Sequence, residues 1–375
     1  MLRYLDAGES HGKCLVAILE GMPAGVKIDE KFINNELARR LKGYGRSDRA
    51  KSIEEDKIEI LSGVRKGITL ASPIAIRIEN KDFKIDTLEK VTKPRPGHAD
   101  LAGALKYNQK DIRNILERAS ARETASRVAI GAICKLFLSE FNVRILSHVI
   151  NIGGVEAHTG GLSFEEIQEK IARSSLNCAD KTAEKLMIEE INKIKQAKDT
   201  IGGSFEIITE GVTAGLGSHV HYDRKLDGRL AGGLMSIQAI KGVEIGLGFE
   251  VAKKSGSQVH DQIYYDKRGG FYYKTNNAGG IEGGMTNGNP IIIKCAMKPI
   301  PTLMSPMDSV DIETKRSFKA QIERSDVIAV PAAGVVAEGH VAYELARAYL
   351  EKFGGDSLEE TKRNFASYTK QLKEF

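Results

Sequence analysis

The 375-residue chain has no tryptophan and only four cysteines. Cys14, Cys134, Cys178 and Cys295 are scattered, with no CxxC pair and no zinc-ligand spacing. That argues against a disulfide scaffold and a metal centre, and it fits the reduced thiols of a cytoplasmic protein. No apolar run approaches the roughly 20 residues that span a bilayer. The opening Met1-Leu2-Arg3-Tyr4-Leu5-Asp6 also lacks the apolar stretch of a secretory signal. The common nucleotide loops are missing: there is no G-x-x-x-x-G-K-[ST], no G-x-G-x-x-G opening a helix after a strand, and no H-E-x-x-H. Any flavin or nucleotide is therefore not held by a Rossmann turn. The net charge of +5 is mild, and aromatics make up only 6% of the residues. The basic residues form short clusters without interleaved rings, so a nucleic-acid partner is not expected. Such clusters suit a small anion.

What is present is ample apolar material, 41% of the chain, and 38 glycines. A large core with many tight turns follows. Asp29 is placed to cap a helix running to about Leu41, with Ile28 and Ile33 as a hydrophobic staple and Gly43 as the stop. Ser120 and Glu123 read as a capping box before the apolar stripe Ala125, Val128, Ala129, Ala132, Ile133, Leu136 and Phe137. Ser163 and Glu166 repeat that box, and a charged helix is expected from about Ala183 to Asp199. Strands are predicted at Ile74–Ile78, Val143–Ile150 and Phe205–Ile208. Val327-Ile328-Ala329-Val330 also reads as strand-like.

Gly63 to Thr69, followed by Pro73 to Arg77, recurs at one constant offset as Gly280 to Thr286 and Pro290 to Lys294. Lys93-Pro94-Arg95-Pro96 is echoed by Lys298-Pro299-Ile300-Pro301, and Phe137–Phe141 by Tyr349–Phe353. Three echoes in one order point to a duplication inside a single domain, 1–375. The expected pseudo-repeats are about 1–215 and 216–375, with a helical insertion at about 153–202 in the first.

Two histidines stand out by context. His11 lies in the glycine-flanked Gly8-Glu9-Ser10-His11-Gly12, and His98 follows the proline-rich Lys93-Pro94-Arg95-Pro96-Gly97. Either is a candidate general acid, although a lone histidine in such a place is more often a turn residue bonded to backbone. Beside Arg95, an anion close by is needed if His98 is to carry charge. Arg39, Arg40, Lys42, Arg46 and Arg49 crowd one helix end, and Arg118, Arg122 and Arg127 crowd the start of another. Arginine forks and a helix N-terminus both suit phosphate and carboxylate. Arg324 and Asp326, two apart before Val327, read as an ion pair or as a catalytic pair.

Taken in order, these segments resemble the chorismate synthases. Gly8–Gly12 resembles the family's first signature and Arg118–Ala125 its second, while Gly283–Gly288, Glu323–Asp326 and Val330–Ala333 complete the set. The resemblance implies an α+β fold, a β-α-β sandwich with internal pseudo-twofold duplication. It implies the last step of the shikimate pathway, the anti-1,4-elimination of phosphate from 5-enolpyruvylshikimate 3-phosphate to give chorismate. Reduced FMN is required, although no net oxidation occurs. Carried over by position, the resemblance makes His11 the proton donor to the flavin, His98 the donor to leaving phosphate and Asp326 a base at the flavin N5. It assigns Arg118, Ala119, Ser120, Gln238, Ala239, Gly283, Lys298, Pro299, Ile300, Pro301, Thr302 and Arg324 to FMN, and Arg40 and Arg46 to the anionic substrate or NADP. Gln238 stands where some relatives carry Asn, and Ala119 where others carry Ser. A homotetramer is implied as well. No nicotinamide loop is visible, so NADPH is expected to serve only indirectly, through an external flavin reductase.

Overall fold

The computed structural model describes residues 1–45, 56–267, 269–322 and 326–375. It contains two antiparallel sheets facing each other across buried helices. The first unit runs β1 (Arg3–Ala7), β2 (Cys14–Glu20), α1 (Glu30–Leu41), β3 (Ile58–Ile60), the hairpin β4/β5 (Val64–Arg65, Ile68–Thr69) and β6 (Ile74–Glu79). It continues through α2 (Asp100–Tyr107), α3 (Arg113–Ala119) and α4 (Thr124–Ser139). The second runs β7 (Arg144–Ile152), β8 (Val155–Glu156), α5 (Phe164–Ala172), α6 (Lys181–Gln196), β9 (Gly203–Glu210), α7 (Leu226–Met235) and β10 (Ile240–Ile245). Hairpins β11/β12 (Ile263–Asp266, Gly270–Tyr273) and β13/β14 (Ile281–Glu282, Met285–Thr286) follow, then β15 (Ile291–Met297), β16/β17 (Asp308–Val310, Ser317–Lys319), α8 (Val330–Phe353) and α9 (Leu358–Glu374).

The sheets have corresponding strand orders, β1-β2-β6-β3 and β8-β7-β9-β15-β10. Their local chemistry corresponds too. Each tight hairpin turns on two residues with positive φ, Lys66 and Gly67 in one and Gly283 and Gly284 in the other, the primed turn that matches strand twist. Thr69 Oγ accepts from Val26 N–H (2.9 Å) and donates to Pro23 O (2.6 Å). Thr286 Oγ does the same with Leu216 N–H (2.9 Å) and Thr213 O (2.7 Å). On this correspondence the second unit begins at β7, upstream of position 216, and α5 and α6 lie within it, between β8 and β9. The echo of 63–77 in 280–294 misses this because the excursion through β11/β12 has no counterpart between β3 and β4.

Helices α4 and α8 form the middle layer, α4 against β1 and β2 and α8 against β7 and β9. They cross at glycine. A Cβ on Gly131 would stand 2.2 Å from Gly339 Cα, so two backbones meet where no side chain fits. α8 is buried on nearly every face. The run Val327–Val330 is its approach and first residue, not a strand. Pro331 lies in the first helical turn, where proline costs no hydrogen bond, and burial from both sides removes the amphipathic period that marks a helix in sequence. The Asp29 cap and the Ser163/Glu166 box are present as expected. Ser120 differs: its side chain accepts from Arg122 N–H and caps a short 3-10 turn, Ala121–Glu123, ahead of α4. Glu123 binds Arg127 (2.7 Å) instead of closing the box.

The middle layer holds one fully buried carboxylate. Glu338 on α8 accepts two bonds from Arg39 of α1 (both 2.8 Å), one from Lys135 of α4 (2.6 Å), and bonds from Ser147 N–H (2.8 Å) and Oγ (2.7 Å) on β7. Burial raises its pKa, but the Arg39 and Lys135 charges outweigh this and hold it below the usual carboxylate range. Replacing it by a neutral amide leaves Arg39 and Lys135 to share Glu36 as their carboxylate partner and strips the charge from a site built to hold it. Glu338→Gln is expected to lower unfolding free energy by about 3 kcal/mol, read from urea melts with an unchanged m-value. Gly131→Ala is expected to cost about 1–3 kcal/mol by forcing the crossing apart, and a melting temperature equal to the parent's would contradict the close contact.

Candidate active site

The turn joining β1 to β2 carries Gly8 to Gly12. Gly8 has φ +116°, and a Cβ there would meet Cys14 O at 2.5 Å, so only glycine serves. The turn is tied to the end of α3. Ser10 N–H donates to Glu117 O (3.0 Å) and His11 N–H to Glu117 Oε2 (2.9 Å). Asn80 Nδ2 donates to the carbonyls of Glu9 (3.0 Å) and Gly12 (2.8 Å) from the other side. His11 Nδ1 donates to Glu117 Oε2 at 2.9 Å, and Nε2 lies 3.8 Å from Asp82. Burial pushes the Glu117 carboxyl up, but the hydrogen bonds and charge of His11 prevail, and its pKa lies below the ordinary value.

His98 has a parallel arrangement. Its Nδ1 donates to Asp100, a fully buried carboxylate at the start of α2. Arg95 grips the same carboxylate through Nε (2.9 Å) and Nη2 (3.1 Å), and its Nη1 donates to Thr302 (3.2 Å). Asp100 is thus the anion that a histidine beside Arg95 requires. Burial opposes its ionisation, while bonds from His98 and Arg95 more than offset this, so its pKa is well below the usual range. The two histidines share a foundation. A Cβ on Gly103 of α2 would stand 2.3 Å from Ile115 of α3. Asp100 and Glu117 each lie within a helical turn of that contact.

The echoed proline loops meet each other here. Lys298 Nζ donates to Gly97 O, and Gly97 lies against Pro301. Lys298 N–H donates to Ala239 O (3.0 Å), and Gln238 faces Glu123 at 3.5 Å. Ala239 holds φ +67°, a left-handed backbone that alanine rarely adopts. Thr200 Oγ donates to Ile300 O (2.7 Å), and Ile201 N–H to Val327 O (3.1 Å), which brings the Asp326 segment to the same rim. Arg118 donates to Gly8 O (3.1 Å) and Asp6 Oδ1 (2.5 Å), with Ala119 and Ser120 following it. Arg40 is buried, donating to Thr124 Oγ (2.9 Å) and Ala121 O (3.0 Å). Gly283 occupies the β13/β14 turn, beside His219. Arg46 and Arg324 lie outside the described residues.

The family model for chorismate synthase matches residues 2–350. The chain belongs to the chorismate synthase family. It is 55% identical to the chorismate synthase of Geobacter metallireducens and 56% to that of Geobacter sulfurreducens, over the full length of both chains in each case. A crystal structure of chorismate synthase superposes with TM-score 0.84 at 46% identity, covering 100% of this chain and 99% of that one. The chain is accordingly a lyase of aromatic amino-acid biosynthesis that eliminates phosphate from 5-enolpyruvylshikimate 3-phosphate to give chorismate, and its family uses reduced flavin.

The residues present suit an anionic flavin. Arg118 and Lys298 supply cationic donors, and the buried Gln238 Oε1 has no partner among the described residues, an acceptor fit for a ring N–H. Asp100, Glu117 and Asn80 were not singled out from the sequence. Two of them stand beside marked residues, two after His98 and one before Arg118, but nothing in that spacing shows that they reach an imidazole. Because Asp100 and Glu117 ionise more readily when folded than unfolded, their stabilisation is complete above about pH 4 and fades as pH falls further. Asp100→Asn is expected to flatten the dependence of melting temperature on pH below 4, measured against the parent from pH 6 to 2.5.

Proposed function

We propose that the two histidine loops divide the proton work of the elimination, His11 serving the flavin and His98 the departing phosphate. The observation that carries this is the pair of carboxylate–imidazole contacts on adjoining helices, α2 and α3. In each pair an ionised carboxylate can only accept, so Nδ1 carries a proton and Nε2 is left to exchange one. His98 sits beside the Arg95–Asp100 ion pair, and the Lys298 ammonium reaches the neighbouring Gly97, which favours a leaving phosphate there. When bound in its reduced form, FMN would supply transient electron density for loss of the allylic phosphate and an acceptor for the C6 hydrogen.

In this reading Arg118, Ala119, Ser120, Gln238, Ala239, Gly283, Lys298, Pro299, Ile300, Pro301, Thr302 and Arg324 hold FMN. Asp326 takes a proton at the flavin N5, and Arg40 and Arg46 favour the anionic ligands. Arg40 acts from behind, fixing the Ala121–Thr124 turn on which Ser120 sits. The chain works as one duplicated domain, as a cytoplasmic homotetramer, with NADPH reaching the flavin through a separate reductase.

Anaerobic incubation with 5-enolpyruvylshikimate 3-phosphate is expected to yield chorismate with chemically reduced FMN and none with oxidised FMN. Turnover without flavin would overturn the reading. His98→Ala is expected to slow turnover about 100-fold or more while flavin affinity stays within about threefold. The absence of tryptophan lets bound flavin be followed optically with little protein background. Equal losses in turnover and flavin affinity would move His98 from catalysis to cofactor binding.

A further inference from the structure

We propose that Glu117 is the positioning residue of His11, fixing its proton on Nδ1 and aiming Nε2 at the reacting groups. The proposal rests on the proton-donor reading of His11. Glu117 is buried, with a side chain 2% exposed, and it meets His11 three times: Oε2 accepts from its N–H (2.9 Å) and from Nδ1 (2.9 Å), and Oε1 lies 3.1 Å from Nδ1. Its own carbonyl accepts from Ser10 N–H. One residue at the end of α3 therefore sets both the path of the turn and the rotation of the ring. Ring nitrogens that face a carboxylate on one side have their tautomer and orientation settled by it.

The other charged groups near this ring do not perform that task. Asp82 stands 3.8 Å from Nε2, beyond a hydrogen bond, and Lys84 lies 3.0 Å from Asp82. Arg113 reaches Glu117 Oε1 only at 3.3 Å. The contrast with Asp100 is informative. Asp100 takes three bonds from Arg95, one of them from its backbone N–H, and so spends much of its charge on a guanidinium. The described bond from Arg113 to Glu117 is longer, at 3.3 Å, than the two 2.9 Å bonds Glu117 accepts from His11.

Glu117→Gln is the test, because the amide oxygen can still accept from His11 N–H and Nδ1 while the charge is gone. Turnover with reduced FMN is expected to fall tenfold to a hundredfold, with KM for the enolpyruvyl substrate and flavin affinity within about twofold of the parent. In protein labelled with 15N-histidine, the Nδ1-protonated pattern of His11, assigned by its loss in His11→Asn, is expected to give way to a tautomer mixture. Added to His11→Asn, the Glu117→Gln change should slow turnover no further. If Glu117→Gln does not fold, Glu117→Asp keeps the charge but withdraws it by about 1.5 Å, and the same fall is expected. Parent-like turnover in Glu117→Gln beside an inactive His11→Asn would overturn the positioning role while leaving the His11 reading intact. Activity retained in His11→Asn would instead sink the reading of His11 itself. An equal further loss in the double variant would mean that Glu117 acts elsewhere.

Discussion

A single buried carboxylate ties the layers together. Glu338 sits at the midplane, where no water can solvate it, and α1, α4 and β7 each bring a donor to it. A charge in that position is costly unless every neighbour supplies its bond, so the elements are bound to one arrangement. The Gly131–Gly339 crossing sets how closely α4 and α8 approach. The clamp bears directly on the site through the sequence neighbour of its arginine. Arg39 is drawn toward Glu338, while Arg40, next on α1, projects to the Ala121–Thr124 turn.

The site lies along the junction of the two units. The loop after β6 and the loop after β15 come from corresponding places, and they contact each other through Gly97, Pro301, Arg95 and Thr302. Each unit alone would leave such a loop against solvent. Packed together, they form a rigid, proline-rich floor with cations from both sides, which suits a reaction that holds several anionic groups near one another. The strained Ala239 backbone borders this floor, as expected where surrounding structure over-determines a conformation for function.

Two histidines with carboxylates at Nδ1 give the site a common grammar with different surroundings. His98 and its carboxylate sit beside the Arg95 guanidinium and the Lys298 loop, whereas His11 is flanked by the carboxylates of Glu117 and Asp82 on a turn held by Asn80. The same side chain is thereby set in two electrostatic surroundings, one with added cations beside its carboxylate and one with a second carboxylate.

By itself, the sequence determined the local pieces and the family. Caps at Asp29 and Ser163, the strands at 74–78 and 205–208, the paired Lys-Pro-x-Pro loops and the Gly8–Gly12 turn are short-range patterns, written in neighbouring residues. The ordered signatures sufficed for the chemistry of the reaction. Tertiary structure alone decided that Val327–Val330 leads into a helix, because burial between two sheets removes the periodicity that separates helix from strand. It alone showed Ser120 capping a 3-10 turn, where the first turn of α4 shifts past the expected box. It also decided which carboxylate serves which imidazole. Glu117 and His11 are 106 positions apart, and no spacing rule connects residues brought together only when α3 packs beneath the β1–β2 turn.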